Sequence, residues 1–151
     1  MPIEQTLVLI KPDGLYRRLT GLTIDRLDAA GLELVAAKMV GVSEDLAKEH
    51  YQEHLGKPFY PGLIRYIRGD FHGLKDHRVL ALVYRGENAI ARARKAAGAT
   101  NPEQAEPGTI RGSFGRLTTA GQFENVLHAS SDAAAARREI RLWFKPAELL
   151  P

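Results

Sequence analysis

The chain contains no cysteine in 151 residues, which excludes a disulfide framework, a thiolate metal centre and a cysteine nucleophile. No apolar run approaches the roughly 20 residues that cross a bilayer, and the start Met1-Pro2-Ile3-Glu4-Gln5 lacks a signal-peptide pattern. No membrane partner is expected, and the cytoplasm is the expected compartment. A GxxxxGK[ST] loop is missing, as is any GxGxxG after a strand, so the two commonest glycine-rich phosphate cradles are absent. A strong excess of one charge is also lacking, because 21 basic side chains face 18 acidic ones and leave a net charge of +3. That balance suits a polyanionic ligand but is too mild to argue for nucleic acid.

What is present fits one domain over residues 1–151, long enough to build a core without staples. Thr6–Ile10 is a continuous apolar run of strand length, bounded by the turn formers Lys11-Pro12-Asp13-Gly14. A helix with Thr20 or Thr23 near its start is expected to stop at Gly31, followed by a strand over Leu32–Val42. Ser43 caps a helix that places Ala47, Tyr51 and Leu55 on one face, and Pro61 opens another carrying Leu63, Ile64 and Ile67. Arg68–His77 reads as a loop, Val79–Tyr84 as a strand, and Asn88–Ala97 as a helix ended by Gly98. From Ala99 to Gln122 no periodicity survives six interruptions by proline and glycine, and a stretch that long inside a compact domain reads as an ordered binding loop. Val126–His128 then gives a fourth strand and Ala133–Phe144 a last helix, with Ala136, Ile140, Trp143 and Phe144 on its apolar face. This order predicts an α+β, ferredoxin-like antiparallel four-stranded sheet with helices on one face. A doubly wound sheet is the competing arrangement.

The chemistry concentrates at Glu124–Ser130, where an apolar run ends on His128 and, as a strand end, would bring an imidazole to solvent. Glu139, beside the apolar face of the last helix, could accept a proton from one imidazole nitrogen and leave the other to react. Taken alone, these two read better as a surface histidine and an ordinary helix glutamate. His50 and His54, at i and i+4, lack the glutamate position of HExxH and a third ligand, so amphipathic helix histidines are the better reading and no protein-held metal site is expected. Lys11, Arg94 and Arg111 singly read as solvated charges, and Tyr51 and Phe59 as core.

Their order along the chain points elsewhere. From Thr6 to Leu149 the sequence resembles the nucleoside diphosphate kinase family. The resemblance is carried by Ile10-Lys11-Pro12-Asp13-Gly14, Glu49-His50-Tyr51, Gly56–Leu63, Gly98–Pro102, Ala105–Gly112, Asn125-Val126-Leu127-His128, and Arg138-Glu139-Ile140 with Trp143-Phe144. It implies a ferredoxin-like fold and transfer of the γ-phosphate from a nucleoside triphosphate to a nucleoside diphosphate through a phosphohistidine, with Mg²⁺ carried by the nucleotide. It also implies a homo-oligomer, a tetramer or hexamer built from dimers. By position, His128 matches the nucleophile, Glu139 the residue holding its ring, and Tyr51 a supporting group. Lys11 and Asn125 match the binders of the sugar hydroxyls, Lys11 also of the transferred phosphate; Arg94, Thr100 and Arg111 match phosphate binders, and Phe59 the aromatic under the base.

Three departures stand out. His128-Ala129-Ser130-Ser131 replaces the family's usual His-Gly-Ser-Asp, and the segments Asp70–Arg78 and Arg116–Glu124 are longer than the common form. Glu124 stands where the family has arginine. The longer loops are expected to bear on subunit contacts rather than on chemistry. Two other readings are a family-like regulatory or binding protein without useful turnover, and a nucleic-acid-binding ferredoxin-like module. The second would want aromatics on its central strands, and Thr6–Ile10 and Val79–Val83 carry none. Nucleic acid is therefore not expected as a partner.

Overall fold

Leu7–Ile10 is apolar throughout because its alternate side chains enter two different cores. In the computed structural model, which describes residues 2–151, this segment belongs to strand β1 (Ile3–Ile10). It lies inside a four-stranded sheet with β2 (Glu33–Gly41), β3 (Arg78–Glu87) and β6 (Leu127–Ala129), in the order β2-β3-β1-β6. Every neighbouring pair is antiparallel. The chain therefore runs from β1 to β2 across a gap that β3 fills, and from β3 to β6 across a gap that β1 fills. These are the interleaved split βαβ halves of the ferredoxin-like arrangement, and the doubly wound alternative is excluded because no neighbours are parallel.

Leu7 and Leu9 face α3 (Glu44–His50), α4 (Tyr60–Ile67) and α7 (Ala133–Trp143) through Ala47, Ile64, Ile67, Ile140 and Trp143. Val8 and Ile10 face α2 (Thr20–Ala29), α5 (Ala89–Ala97) and α6 (Ile110–Phe114) through Leu27, Ala89, Ala93, Ala97 and Ile110. Helices on one face thus describes the two crossover helices, α2 and α5, while the opposite face is covered as well. The physical reason is visible in β1 itself, since a strand with one face in water alternates apolar and polar residues and this one does not.

Several boundaries differ from expectation. Lys11-Pro12-Asp13-Gly14 is not only a turn: Pro12, lacking an amide hydrogen, opens the short helix α1 (Pro12–Tyr16). Helix α3 starts on Ser43, whose hydroxyl accepts from Leu46 N–H at 3.1 Å, but it stops at His50, so Leu55 is exposed and His54 lies in a separate 3-10 turn, Gln52–His54. The 99–122 segment is ordered but not structureless. It holds α6, capped by Thr109 on Gly112 N–H, and β4 (Arg116–Leu117), which forms a hairpin with β5 (Phe123–Glu124) just beyond it. Neither element is long enough to show a period.

The fourth strand begins one residue later than its apolar run suggests, because Val126 has φ +71, a left-handed conformation that a β-branched residue rarely adopts. His128 is consequently the middle residue of a three-residue strand, paired with Leu9, rather than its open end. Since opposite residues share a face, His128 points with Leu9 toward α3 and α7. Replacing Leu9 by alanine removes a fully buried side chain directly under that pair, and should cost about 2–5 kcal/mol. Urea unfolding should show it as a lower midpoint with an unchanged slope.

Candidate active site

His128 lies where β6, α3 and α7 converge, and its environment is set by one hydrogen bond. Nε2 stands 2.9 Å from Glu139 Oε1. Glu139 is buried on α7, about two turns beyond the Asp132 cap that accepts from Ala135 N–H. Ser130, fully buried, donates its hydroxyl hydrogen to the same Oε1 at 2.7 Å and accepts from Leu7 N–H at 3.1 Å. Burial alone would raise the Glu139 carboxyl, but the contacts with His128, Ser130 and Arg138 outweigh it and hold the group below the usual carboxylate range. Burial pushes His128 down, and Lys11 and Arg111 push the same way against the pull of Glu139, so its imidazole lies below its ordinary value. The consistent state at neutral pH is an ionised Glu139 accepting from Nε2–H of a neutral ring, with the Nδ1 lone pair uncommitted.

His50 is the residue the sequence reading missed. It is buried at the end of α3, accepts from Trp143 Nε1–H through Nδ1 at 3.1 Å, and meets His128 edge to face with ring centres 4.5 Å apart. Burial first, then the charges of His128, Lys11 and Arg138, push it well below the ordinary histidine value, so it stays neutral. Arg138, also overlooked, donates to the Glu49 and His50 carbonyls and thereby ties the end of α3 to α7. Its match within Arg138-Glu139-Ile140 was the available signal. His54 packs between Tyr51 and Phe59, and its Nδ1 is buried without a hydrogen-bond partner among the described residues.

The cations approach from the other side. Lys11, at the end of β1, is buried above the Tyr66 ring, with Nζ donating to Asn125 Oδ1 at 2.8 Å. Burial and then the nearby Arg111 charge, partly offset by Asp13, lower its ammonium to about 7. Arg111, on α6, is not a solvated charge: it donates to the carbonyls of Asn125, Gly98 and Leu127 at 3.1, 2.9 and 2.6 Å. Three of its five N–H groups are so engaged and two remain for a ligand. Arg94, exposed on α5, is close enough to Arg111 to depress its pKa to about 10, after burial as the larger cause. Asn125 Nδ2 donates to the Thr100 carbonyl at 3.0 Å, which joins the 99–122 segment to β6.

Tyr51 is buried with its hydroxyl unpartnered among the described residues, and burial, then the Glu139 charge, raise the phenol well above its usual value. It is a neutral donor awaiting an acceptor. Phe59, read from sequence as core, is 52% exposed at the start of α4, with His54 against one side of its ring. A large aromatic left in solvent beside buried polar groups is a ready stacking surface.

The structure thus brings Lys11, Tyr51, Thr100, Arg111, Asn125, His128 and Glu139 into one hydrogen-bonded or packed neighbourhood, with Arg94 and Phe59 at its margin. His50, His128 and Glu139 also place one potential ligand atom each within 4.8 Å of one another. Lys11 and Arg111 lower His128, Lys11 and Arg138 lower His50, and such a cationic surround favours an anion over a divalent ion.

Comparison with known proteins agrees with this geometry. The nucleoside diphosphate kinase family model matches residues 4–149. The chain is 46% identical over 148 residues to a nucleoside diphosphate kinase of Cyanothece sp., covering 98% of this chain and 92% of that one. It is 45% identical over 147 residues to that of Pyrococcus furiosus, covering 97% and 86%. Among solved structures, a transition-state mimic of the Borrelia burgdorferi nucleoside diphosphate kinase with bound vanadate and ADP superposes with a TM-score of 0.88 at 38% identity, covering 99% and 91%. The Halobacterium salinarum enzyme in complex with CDP does so with 0.86 at 39% identity, covering 99% and 93%. No helix among the described residues is long and apolar enough to cross a membrane. With the sheet topology, the partly buried imidazole and the full-length likeness in agreement, the chain belongs to the nucleoside diphosphate kinase family and is an enzyme of that activity.

Proposed function

We propose that the enzyme works by a ping-pong mechanism in which His128 Nδ1 carries the phosphoryl group between a nucleoside triphosphate and a diphosphate. The observation that supports this most directly is the 2.9 Å contact of His128 Nε2 with Glu139, which commits one nitrogen and leaves the other as a lone pair. That lone pair attacks the γ-phosphorus as the bond to the β,γ-bridging oxygen breaks, and the diphosphate departs with the bond's electrons. The positive charge gained by the ring is balanced by the Glu139 carboxylate across Nε2–H. A β-phosphate oxygen of the second nucleotide then attacks the phosphorus, and the electrons of the P–N bond return to Nδ1.

Arg94, Thr100 and Arg111 are assigned to the phosphates, Lys11 to the transferred group, and Lys11 with Asn125 to the sugar hydroxyls. Tyr51 is assigned to the support of the histidine and its phosphate. His54 Nδ1, buried and unpartnered, is a further polar group available to the phosphate chain. Phe59 takes the base by stacking, which every base allows. An Mg²⁺ ion fits when carried by the nucleotide, since Glu139 is already engaged by His128 and Ser130 and supplies no open carboxylate. When bound, such an ion neutralises β- and γ-oxygen charge. A dimer-based homo-oligomer is proposed as well, supported by the edge position of β2 and its exposed Leu34 and Met39.

Incubation with γ-labelled ATP should yield an acid-labile, protein-bound phosphate that is absent in His128→Ala. Label persisting in that variant would move the nucleophile elsewhere. Glu139→Gln is expected to keep the fold, because Ser130 can still donate to the amide oxygen, while turnover falls about 10²- to 10³-fold through loss of the balancing charge. Unchanged turnover would reduce Glu139 to a packing residue.

Lys11 yields a linkage prediction. Its pKa is lowered to about 7 in the unliganded site, whereas a bound polyphosphate favours the ammonium and raises it. Binding of a nucleotide at pH 8 should therefore take up protons, and kcat/KM should fall as pH rises through that pKa. Calorimetry in two buffers of different ionisation enthalpy measures the uptake. Zero uptake, or uptake that persists in Lys11→Met, would remove Lys11 from the phosphate site.

A further inference from the structure

The two long segments meet at a buried carboxylate. Glu124 occupies the last position of the β4–β5 hairpin, and its side chain is 5% exposed. Arg116, its cross-strand partner, is largely in solvent but reaches inward to Oε1 at 3.0 Å and Oε2 at 3.2 Å. From the other long segment, His72 Nε2 approaches Oε2 at 3.5 Å. Burial works to raise the Glu124 carboxyl, but Arg116 and then His72 outweigh it and hold the carboxyl below its ordinary value. An exposed ion pair would contribute little. A buried carboxylate held from two loops constrains both of them.

What it constrains is the next residue, Asn125. The far side of that residue is already pinned. Val126 N–H donates to Asp13 Oδ2 at 3.0 Å, Lys11 N–H donates to the Val126 carbonyl at 2.9 Å, and Arg111 holds the Asn125 carbonyl. His72 touches both ends of the step, because its ring also packs on Tyr66 at 6.1 Å, and the Tyr66 hydroxyl donates to Asp13. Between these fixed flanks the Asn125 side chain accepts from Lys11 Nζ and donates to the Thr100 carbonyl.

We infer that Glu124 is a positioning residue for the nucleotide sugar: held by Arg116 and His72, it fixes the backbone from which Asn125 meets the 3′-hydroxyl. The inference rests on the sugar roles proposed above for Lys11 and Asn125. It assigns a function to the Glu124 departure and to both long loops within the subunit itself, whereas subunit contacts were the expectation from sequence.

The test compares kcat/KM for 2′-deoxy-ATP, which keeps the 3′-hydroxyl, with that for 3′-deoxy-ATP, in wild type, Glu124→Ala, Glu124→Gln and Arg116→Ala. Labelling of His128 by phosphoramidate, a phosphoryl donor without a nucleoside, serves as the reference. In Glu124→Ala the value for 2′-deoxy-ATP should fall about tenfold while 3′-deoxy-ATP and phosphoramidate change by less than about twofold, the size expected for one mispositioned hydrogen bond. Glu124→Gln should recover part of the loss. Arg116→Ala, altering a mostly exposed side chain, should show the same selective loss at smaller size and keeps the test available if Glu124→Ala does not fold. An unchanged ratio between the two nucleotides, or a parallel loss with all three donors, overturns the positioning role. If the wild type itself ignores the 3′-hydroxyl, the sugar roles of Lys11 and Asn125 are wrong, and that result is read without any variant.

Discussion

The left-handed turn at Val126 is the constraint on which the site depends. A β-branched residue at positive φ costs about 1–3 kcal/mol, and it persists only where the surroundings hold it. Here Asp13 accepts the Val126 amide hydrogen and the Lys11 amide holds its carbonyl. Gly14 makes room, since a Cβ there would lie 2.9 Å from that carbonyl oxygen. The turn separates the β4–β5 hairpin from β6 and sets the register Leu9↔His128. A shift of one residue would direct the imidazole into the opposite core, among Val8, Leu27 and Ala93. The run Lys11–Gly14 thus serves two ends at once: one residue supplies a buried cation, and two others supply the acceptor and the space that hold the strand carrying His128.

Electrostatically the site is a neutral ring between one carboxylate and several cations. Burial disfavours charge on His50 and His128 alike, and Lys11 and Arg111 add to the effect at His128. In the mechanism proposed for His128 the ring needs its lone pair, and a protonated ring has none to give. The same cations that keep the ring neutral also favour an anion, so on the proposed mechanism a free lone pair and attraction of a polyphosphate arise from one charge distribution. Burial and Arg111 lower the Lys11 ammonium to about 7, so a bound anion would favour its charged form.

Most of the fold was legible because long elements announce themselves. Leu7–Ile10 shows as an unbroken apolar run of strand length, and the Thr20 to Gly31 helix and the Ala133 to Phe144 face carry enough residues to display a period. The site was legible through its ordered motifs, not through physics at each position: Arg111 read as a solvated charge and is a bracket of three carbonyls, and Phe59 read as core and is in solvent. His50 was hidden because its value comes from Trp143 and His128, 93 and 78 residues away in sequence. Helix α6 and the β4–β5 hairpin were hidden by length, since five residues and two residues cannot show a period. The contact between His72 and Glu124 joins two loops across the fold, and no local pattern encodes it.

The two changes after His128 do not fall on the groups that hydrogen-bond its ring. Alternation along β6 sends the Ala129 methyl to the face opposite the imidazole, where it is buried with Val8 and Ala93 and adds to that core. The added Cβ therefore stiffens the strand without entering the space near Nδ1. Ser131 is exposed and lies beyond the end of β6, whereas the hydroxyl that Glu139 uses belongs to Ser130. Among the described residues Glu139 is the one carboxylate bonded to the ring, so on the proposed mechanism the charge balance rests on Glu139, with Ser130 holding it in place.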